Sequence, residues 1–282
     1  MKNLSKTFRY VNENGDTLTF EYVSGFLINK PTGIDAIQIS LTEAQSINRV
    51  GSTVQTKTVQ SRPIKFSGIL VGENQAGRKA DLLSVIRPDL SGKLYADNYW
   101  VEVYVTSTPT VESKERFAHF QFELKAPYPY WQDEKRISTA LYGVQKQFKF
   151  PWNISRPYRF GEKMDTQFMN IPNRGQLPVP FTVTFIAMGE VTRPQIQNVK
   201  TGERLILDYV MAPGETVVVE LTHGRTVMTS SMYGQVPGAL DLDSTLFCLY
   251  VGDNVLKPFA DSNGDQMEVH ISFTPEITGV VL

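Results

Sequence analysis

The chain has 282 residues but only one cysteine, Cys248, and three histidines. A single thiol excludes an internal disulfide, and no Cys/His cluster can assemble around it. Charge of one sign is missing too. Against 28 Lys and Arg stand 29 Asp and Glu, a formal net charge of −1, which argues against a basic nucleic-acid binder. No run approaches the roughly 18 continuous apolar residues of a membrane-spanning helix, so no membrane partner is expected. The opening MKNLSKTFRYV carries charge but no apolar stretch with a cleavage site. It does not read as a signal peptide, and folding in the cytoplasm is expected. Internal repeats and low-complexity tracts are absent as well.

What is there is apolar material enough for a core: 41 % hydrophobic against 20 % charged residues. The length suggests two domains, or one large β domain. The periodicity is mostly two. Ile64, Phe66 and Leu70 alternate with Lys65, Ser67 and Ile69. The same alternation runs through Tyr99–Val105, Ala118–Leu124, Phe181–Phe185 and Met267–Phe273. Successive strand side chains point to opposite faces, so these read as half-buried strands. Asn14-Gly15 and Asn263-Gly264 are type I′ turn signals and predict hairpins over Arg9–Tyr22 and Phe259–Phe273. From Gln75 to Arg87, Ala76, Leu82, Leu83 and Ile86 recur at helical spacing until Pro88 forbids continuation.

The junction Ala126-Pro127-Tyr128-Pro129-Tyr130-Trp131 and the charged stretch after it predict a boundary, with domains at 1–135 and 136–282. Beyond it, Arg156–Pro180 and Met228–Ser244 read as irregular regions. Short strands such as Arg204–Val210 and Thr216–Leu221 lie between them, the latter two joined by a Pro213-Gly214 turn of type II. Such spacing without a helix predicts a β-sandwich.

Chemistry-bearing patterns are weak. Gly72-x4-Gly77 lacks the Lys-Ser/Thr pair of a phosphate loop and reads as a turn into the helix. Asp261, Asn263 and Asp265 resemble the start of a calcium loop, yet Gln266 and Ser272 stand where Gly and Glu are needed, which favours a polar turn. His119, His223 and His270 have no metal-ligand spacing, and Cys248 sits in an apolar run where a thiol is usually inert. Asn153-Ile154-Ser155 matches a glycosylation sequon that means nothing without export. Asp241-x-Asp243 is an acidic loop pair, ordinarily just solvated. No cofactor, metal or catalytic residue is indicated, and the chain reads as a non-enzyme. Trp100 and Tyr104 lie opposite Val101 and Val103, so that strand is apolar on both faces and suits contact with a neighbouring subunit. Gln38–Arg62, with Val54 and Val59, has too few apolar residues to bury itself and suits a ring-closing arm.

The order of these features resembles a known family. Ala126, Pro127, Pro129 and Trp131 form the junction. Asn173, Gly175 and Pro180 precede the strand Phe181–Ala187. Pro194-Gln195-Ile196-Gln197-Asn198, Thr201-Gly202 and Pro213-Gly214-Glu215 follow. Together they resemble the distal tail proteins of siphophages and related prophages of Gram-positive bacteria. The resemblance implies a mainly β fold: a tail-tube-like β-barrel or sheet domain with one helix, then a galectin-like β-sandwich. It implies a virion protein at the distal end of the tail, made in the host cytoplasm. Six copies would close into a hexameric ring joining the tail tube to the tip or baseplate, and would dock receptor-binding proteins. DNA would pass through the channel without specific binding. The ring interface would include Val54, Val59, Trp100 and Tyr104, and the docking loops Arg174, Tyr233, Asp241 and Asp243. The alternative is a carbohydrate-binding module for host cell-wall saccharide. For it, His223-Gly224-Arg225 lacks the Asn of a galactoside site, and the only tryptophan past the junction is Trp152.

Overall fold

The computed structural model describes residues 7–21, 23–45, 47, 50–114, 117–142, 144–145, 162–163, 168–222 and 224–280. His223, Trp152, the sequon Asn153-Ile154-Ser155 and, within the Arg156–Pro180 region, residues 156–161 and 164–167 lie outside the described residues. The chain divides into two compact units, Met1–Glu134 with Glu276–Leu282, and Lys135–Pro275.

In the first unit β1 (Phe8–Asn12), β2 (Thr17–Phe20), β3 (Phe26–Ile28), β4 (Ile39–Ala44), β5 (Thr53–Val59) and β6 (Arg62–Leu70) precede α1 (Gln75–Val85). Then come β7 (Ser91–Ala96), β8 (Tyr99–Lys114), β9 (Phe117–Ala126) and β10 (Trp131–Asp133). The main sheet runs β2-β1-β7-β8-β9-β6-β3 and curls into a nearly closed barrel. Strict alternation explains the curl's interior: β6 buries Ile64, Phe66 and Leu70, and β9 buries Phe120, Phe122 and Leu124. The rings of Phe66 and Phe122 stack at 5.0 Å, and Phe8 meets Phe66 edge-on at 5.6 Å. Each such buried aromatic removes a large apolar area from water, and this drives the barrel's closure.

The helix forms where the periodicity indicates, and of the four apolar positions Leu82 and Ile86 face inward as expected. Asn74 caps it, its Oδ1 accepting the Gly77 N–H at 3.0 Å. Leu82, Val85 and Ile86, spaced i, i+3 and i+4, are buried. Ala76 and Leu83 point to solvent instead. The first hairpin is present, but its turn is not type I′, because only Gly15 takes positive φ (88°). The Asn12 side chain holds the loop, accepting the N–H groups of Asn14 and Asp16 at 3.1 and 2.9 Å.

The second unit comprises β11 (Ile137–Tyr142), β12 (Val144–Gln145), β13 (Glu162–Lys163), β14 (Met169–Asn173), β15 (Phe181–Ala187) and β16 (Val191–Asn198). It continues with β17 (Arg204–Ile206), β18 (Val210–Met211), β19 (Thr216–Thr222), β20 (Arg225–Ser230), β21 (Gly234–Gln235), β22 (Gly252–Ser262) and β23 (Met267–Phe273). One sheet runs β11-β23-β15-β19-β20-β21, the other β14-β22-β16-β17 with β18 beside β16. A single core lies between them: Phe181, Val183, Phe185, Val219 and Ile271 from one sheet, Ile171, Ile196 and Leu256 from the other. This is a β-sandwich.

Three expectations change here. Phe259–Phe273 is not a hairpin, because β22 pairs with β14 and β16 while β23 pairs with β11 and β15 in the opposite sheet. Asn263 does take the left-handed conformation (φ 56°), but a single 3₁₀ turn, Gly264–Gln266, then carries the chain to the other sheet. The irregular stretch expected from Met228 begins only after Ser230, since Met228–Ser230 belong to β20. Arg204–Val210 is two short strands, β17 and the start of β18, and not one.

After β23 the chain returns to the first unit. There β24 (Glu276–Ile277) pairs with β10, Trp131 opposite Ile277. Val280 is buried in the first unit's core. The sequence-based division at 135/136 ends the second part at Leu282, whereas these contacts group the last seven residues with the first unit.

Candidate functional site

The feature of the first unit that stands apart from its core is the β4–β5 hairpin. Its ladder pairs Ile39 with Val59 and Leu41 with Lys57, and a bulge then shifts Glu43 onto Val54. Every β5 residue is exposed, and so is β4 up to Glu43. None of the described hairpin residues joins the buried core. Yet Ile39, Leu41, Val54 and Val59 remain between 38 % and 51 % exposed, and Val50 at the tip is fully so. A two-stranded ribbon with this much bare apolar surface is marginal alone and gains from a covering partner. At its feet the Gln60 N–H donates to the Gln38 carbonyl at 2.9 Å.

Of the other two interface candidates, Trp100 is half-buried. Its ring lies under the Lys93 ammonium at 4.4 Å, and its backbone pairs with Gln132. Tyr104 is exposed, one strand from Lys125 in the ladder, and donates to Glu102 at 3.2 Å. Both stand on the sheet face opposite the buried Val101 and Val103, some distance in sequence from the arm. Sheet pairing brings Val54 and Val59 together on one hairpin; it does not merge them with Trp100 and Tyr104.

In the second unit the candidates Arg174 and Tyr233 sit in turns held by buried polar side chains. Arg174 is exposed in a turn fixed by Asn173, whose Oδ1 accepts the Gly175 N–H at 2.9 Å and whose amide donates to the Leu249 carbonyl at 3.0 Å. Tyr233 is exposed just after β20. The buried Ser230 hydroxyl accepts the N–H groups of Met232 and Tyr233 at 3.1 and 3.2 Å and donates to Glu215 at 2.5 Å. Glu215 is wholly buried and also accepts from Tyr209 Oη at 2.7 Å and the Ala212 N–H at 2.8 Å. Burial alone would push its carboxyl up. The bonds from Ser230, Ala212 and Tyr209 outweigh that and hold it below the usual carboxylate range. The turn before it agrees with type II: Gly214 has φ 81° and the Glu215 N–H donates to Ala212 at 3.0 Å.

The acidic pair is not simply solvated. Asp241 accepts a charged hydrogen bond from Arg193, which itself takes positive φ (55°) in β16. This bond lowers the Asp241 carboxyl, with help from the Asp243 N–H at 2.9 Å. Asp243 is exposed. Asp261, one of the calcium-loop candidates, accepts from Gln195 at 2.8 Å and lies 3.5 Å from Arg193. Among the described residues no group of three or more His, Cys, Asp or Glu could hold a metal. His270 pairs with Glu268 at 2.8 Å on the outer face of β23. The phosphate-loop candidate is filled by its own chain: the Arg78 side chain folds back onto the Val71 carbonyl beside Gly72. Arg225 lines a groove of about 410 Å³ with Leu221, Thr222, Leu246 and Phe247. No described helix is long and apolar enough to cross a membrane.

Sequence reasoning missed Glu215 and Arg62. The first carried a usable signal, a carboxylate directly after Pro-Gly and before the apolar strand Thr216–Leu221. Arg62 carried none, for nothing local distinguishes it from an exposed cation at a strand start.

Residues 174–276 match the family model of the siphovirus-type tail component, C-terminal domain. The crystal structure of the Dit protein of phage SPP1, described as a hub adsorption apparatus of phages infecting Gram-positive hosts, superposes with TM-score 0.71 at 13 % identity. The match covers 95 % of this chain and 98 % of that one. A chain of the phage P2 baseplate in its activated conformation with Ca aligns over 98 % of this chain and 100 % of its own, at 9 % identity and TM-score 0.48. A comparison with curated proteins returned no match. Residues 174–276 thus match the siphovirus-type tail component C-terminal domain family, and the chain as a whole shares the fold of the SPP1 Dit protein.

Proposed function

We propose that this chain is a ring-forming structural component of a siphophage tail tip, which joins the tail tube to the baseplate and serves as a docking hub. The observation that carries the reading is the β4–β5 arm. It is a paired, well-formed hairpin whose apolar side chains Ile39, Leu41, Val54 and Val59 stay roughly half exposed within their own subunit. A second copy of the chain supplies that cover, and repetition of one heterologous contact around an axis closes a ring. Six copies is the number the family resemblance implies. The family match and the shared fold support a tail-tip role. The near-neutral charge is compatible with a channel through which DNA slides without being held by phosphate neutralisation.

The protein acts by assembly and not by catalysis. In the second unit, the Arg174 turn, the Tyr233 turn and the Asp241–Asp243 loop are the proposed docking sites for tip or receptor-binding proteins. The first two project exposed side chains from a backbone pinned by the buried Asn173, Ser230 and Glu215, and the third projects Asp243 from a loop held by the half-buried Arg193–Asp241 ion pair. Replacing residues 39–59 by a short turn tests the reading. Rings visible by electron microscopy for the full chain should be lost while the barrel stays folded. Rings that persist without the arm would overturn it.

A further inference from the structure

We propose that Arg62 is the positioning residue of the hairpin arm: its guanidinium fastens the two feet of the arm to each other and to the C-terminal return of the chain. The importance of this for assembly rests on the ring reading above; the geometry does not.

The two feet are residues 33–38, which lead into β4, and residues 60–62, which follow β5. Arg62 is 1 % exposed. It reaches from the second foot to the carbonyls of the first, with Nη1 donating to Gly33, Ile34 and Ala36 at 2.7, 2.8 and 3.3 Å. Nε donates to Pro129 at 2.6 Å and Nη2 to Thr278. These acceptors are backbone carbonyls, from three stretches of chain far apart in sequence. A guanidinium spreads its five N–H donors over a planar fork; an ammonium offers three from one point and cannot reach this set. Burial lowers the Arg62 pKa to about 10, still far above neutral, so the cage holds a cation.

Backbone packing converges on the same place. Gly33 has φ 82°, and a Cβ there would meet the Pro63 carbonyl oxygen at 1.9 Å. A Cβ on Gly279 would meet the Asp35 carbonyl oxygen at 2.4 Å. The first foot is therefore pressed between Pro63 and the C-terminal return, with glycine required at both approaches. The Ile34 carbonyl also accepts the Trp131 indole N–H at 3.1 Å and the Val280 N–H at 3.4 Å. An arm with no core of its own would swing about its feet and would have to be ordered on every association. A clamped foot removes that cost in advance. Residues 276–280, read from sequence as the end of the sandwich, thereby become part of the arm's seat.

The test is hydrogen–deuterium exchange on the full chain, held below the concentration of self-association, for Arg62→Lys and separately for Gly279→Ala. The second leaves Arg62 intact and pries the return segment off residue 35. Both variants should speed exchange in residues 33–38, 39–59 and 276–280 together by about tenfold or more, as loss of a charged hydrogen bond implies. Amides of the β8–β9 and β15–β23 ladders should stay protected and so report an intact fold. If Arg62→Lys exposes those ladders as well, Gly279→Ala alone decides. Unchanged exchange in the arm and the return segment would overturn the proposal. So would Arg62→Lys rings that form as readily as wild-type rings. If the wild-type chain forms no ring at all, the ring reading fails while the exchange data still judge the clamp.

Discussion

The arm offers a quantitative test of the proposed contact between copies of the chain. Ile39 and Leu41 lie two apart on β4, hence on one face, with Val59 opposite Ile39. They are 49 % and 51 % exposed. Fully burying such a side chain is worth about 1.5–3 kcal/mol, so covering the exposed half gains about 1 kcal/mol each. The double substitution Ile39→Thr with Leu41→Thr puts a β-branched, strand-favouring residue at both positions while removing most of that apolar area. It should weaken each subunit contact by about 2 kcal/mol, roughly 30-fold in the association constant. Sedimentation velocity over a concentration series reads this as a shift of the assembly midpoint. Far-ultraviolet circular dichroism should be unchanged, since the pair lies outside the core. An assembly midpoint within about twofold of wild type would refute the claim that this face is covered by a second copy.

Other outcomes follow from the buried polar groups and cores. Glu215→Gln replaces an acceptor that faces three donors and should cost about 2 kcal/mol in urea unfolding. Because the folded-state Glu215 carboxyl is lowered, its contribution is present above the unfolded carboxyl's range and is lost as pH falls through the folded value. The Gln variant should therefore lose part of the wild-type acid dependence, and an identical acid profile would contradict the assignment. Phe122→Ala, which removes a ring stacked on Phe66 and Phe20, should destabilise the first unit by about 3–5 kcal/mol. Isothermal calorimetry with cell-wall saccharides should show nothing tighter than about millimolar. A micromolar ligand lost in Arg225→Ala would promote the lectin alternative.

What could be read from the sequence is what is local. Period-two alternation located β6, β8, β9, β15 and β23, and Pro88 and the spacing of Leu82 and Ile86 located α1. The Pro213-Gly214 turn was legible because one glycine with positive φ dictates it. The failures share a non-local cause. Asn263-Gly264 reads as a hairpin turn because turn residues do not say which sheet the next strand joins; the core of the sandwich decides that β23 crosses over. The inward face of α1 depends on where the barrel lies, so Val85 replaced Ala76 and Leu83. Of the site, the arm was legible as a Thr- and Val-rich ribbon too poor in apolar residues to bury itself. Its seat was not, because Gly33, Arg62, Pro129, Thr278 and Gly279 meet only in the fold. Asp241 looked solvated because Arg193, its partner, is 48 residues away.

The central claim is a closed ring of identical subunits, and its most direct test is the mass and shape of the purified full chain in solution. Light scattering at micromolar and higher concentration should report a single assembly near six times 31.8 kDa. Negative-stain images of the same peak should show rings with an open centre. A strictly monomeric species across that range, with no ring in the images, would contradict the account.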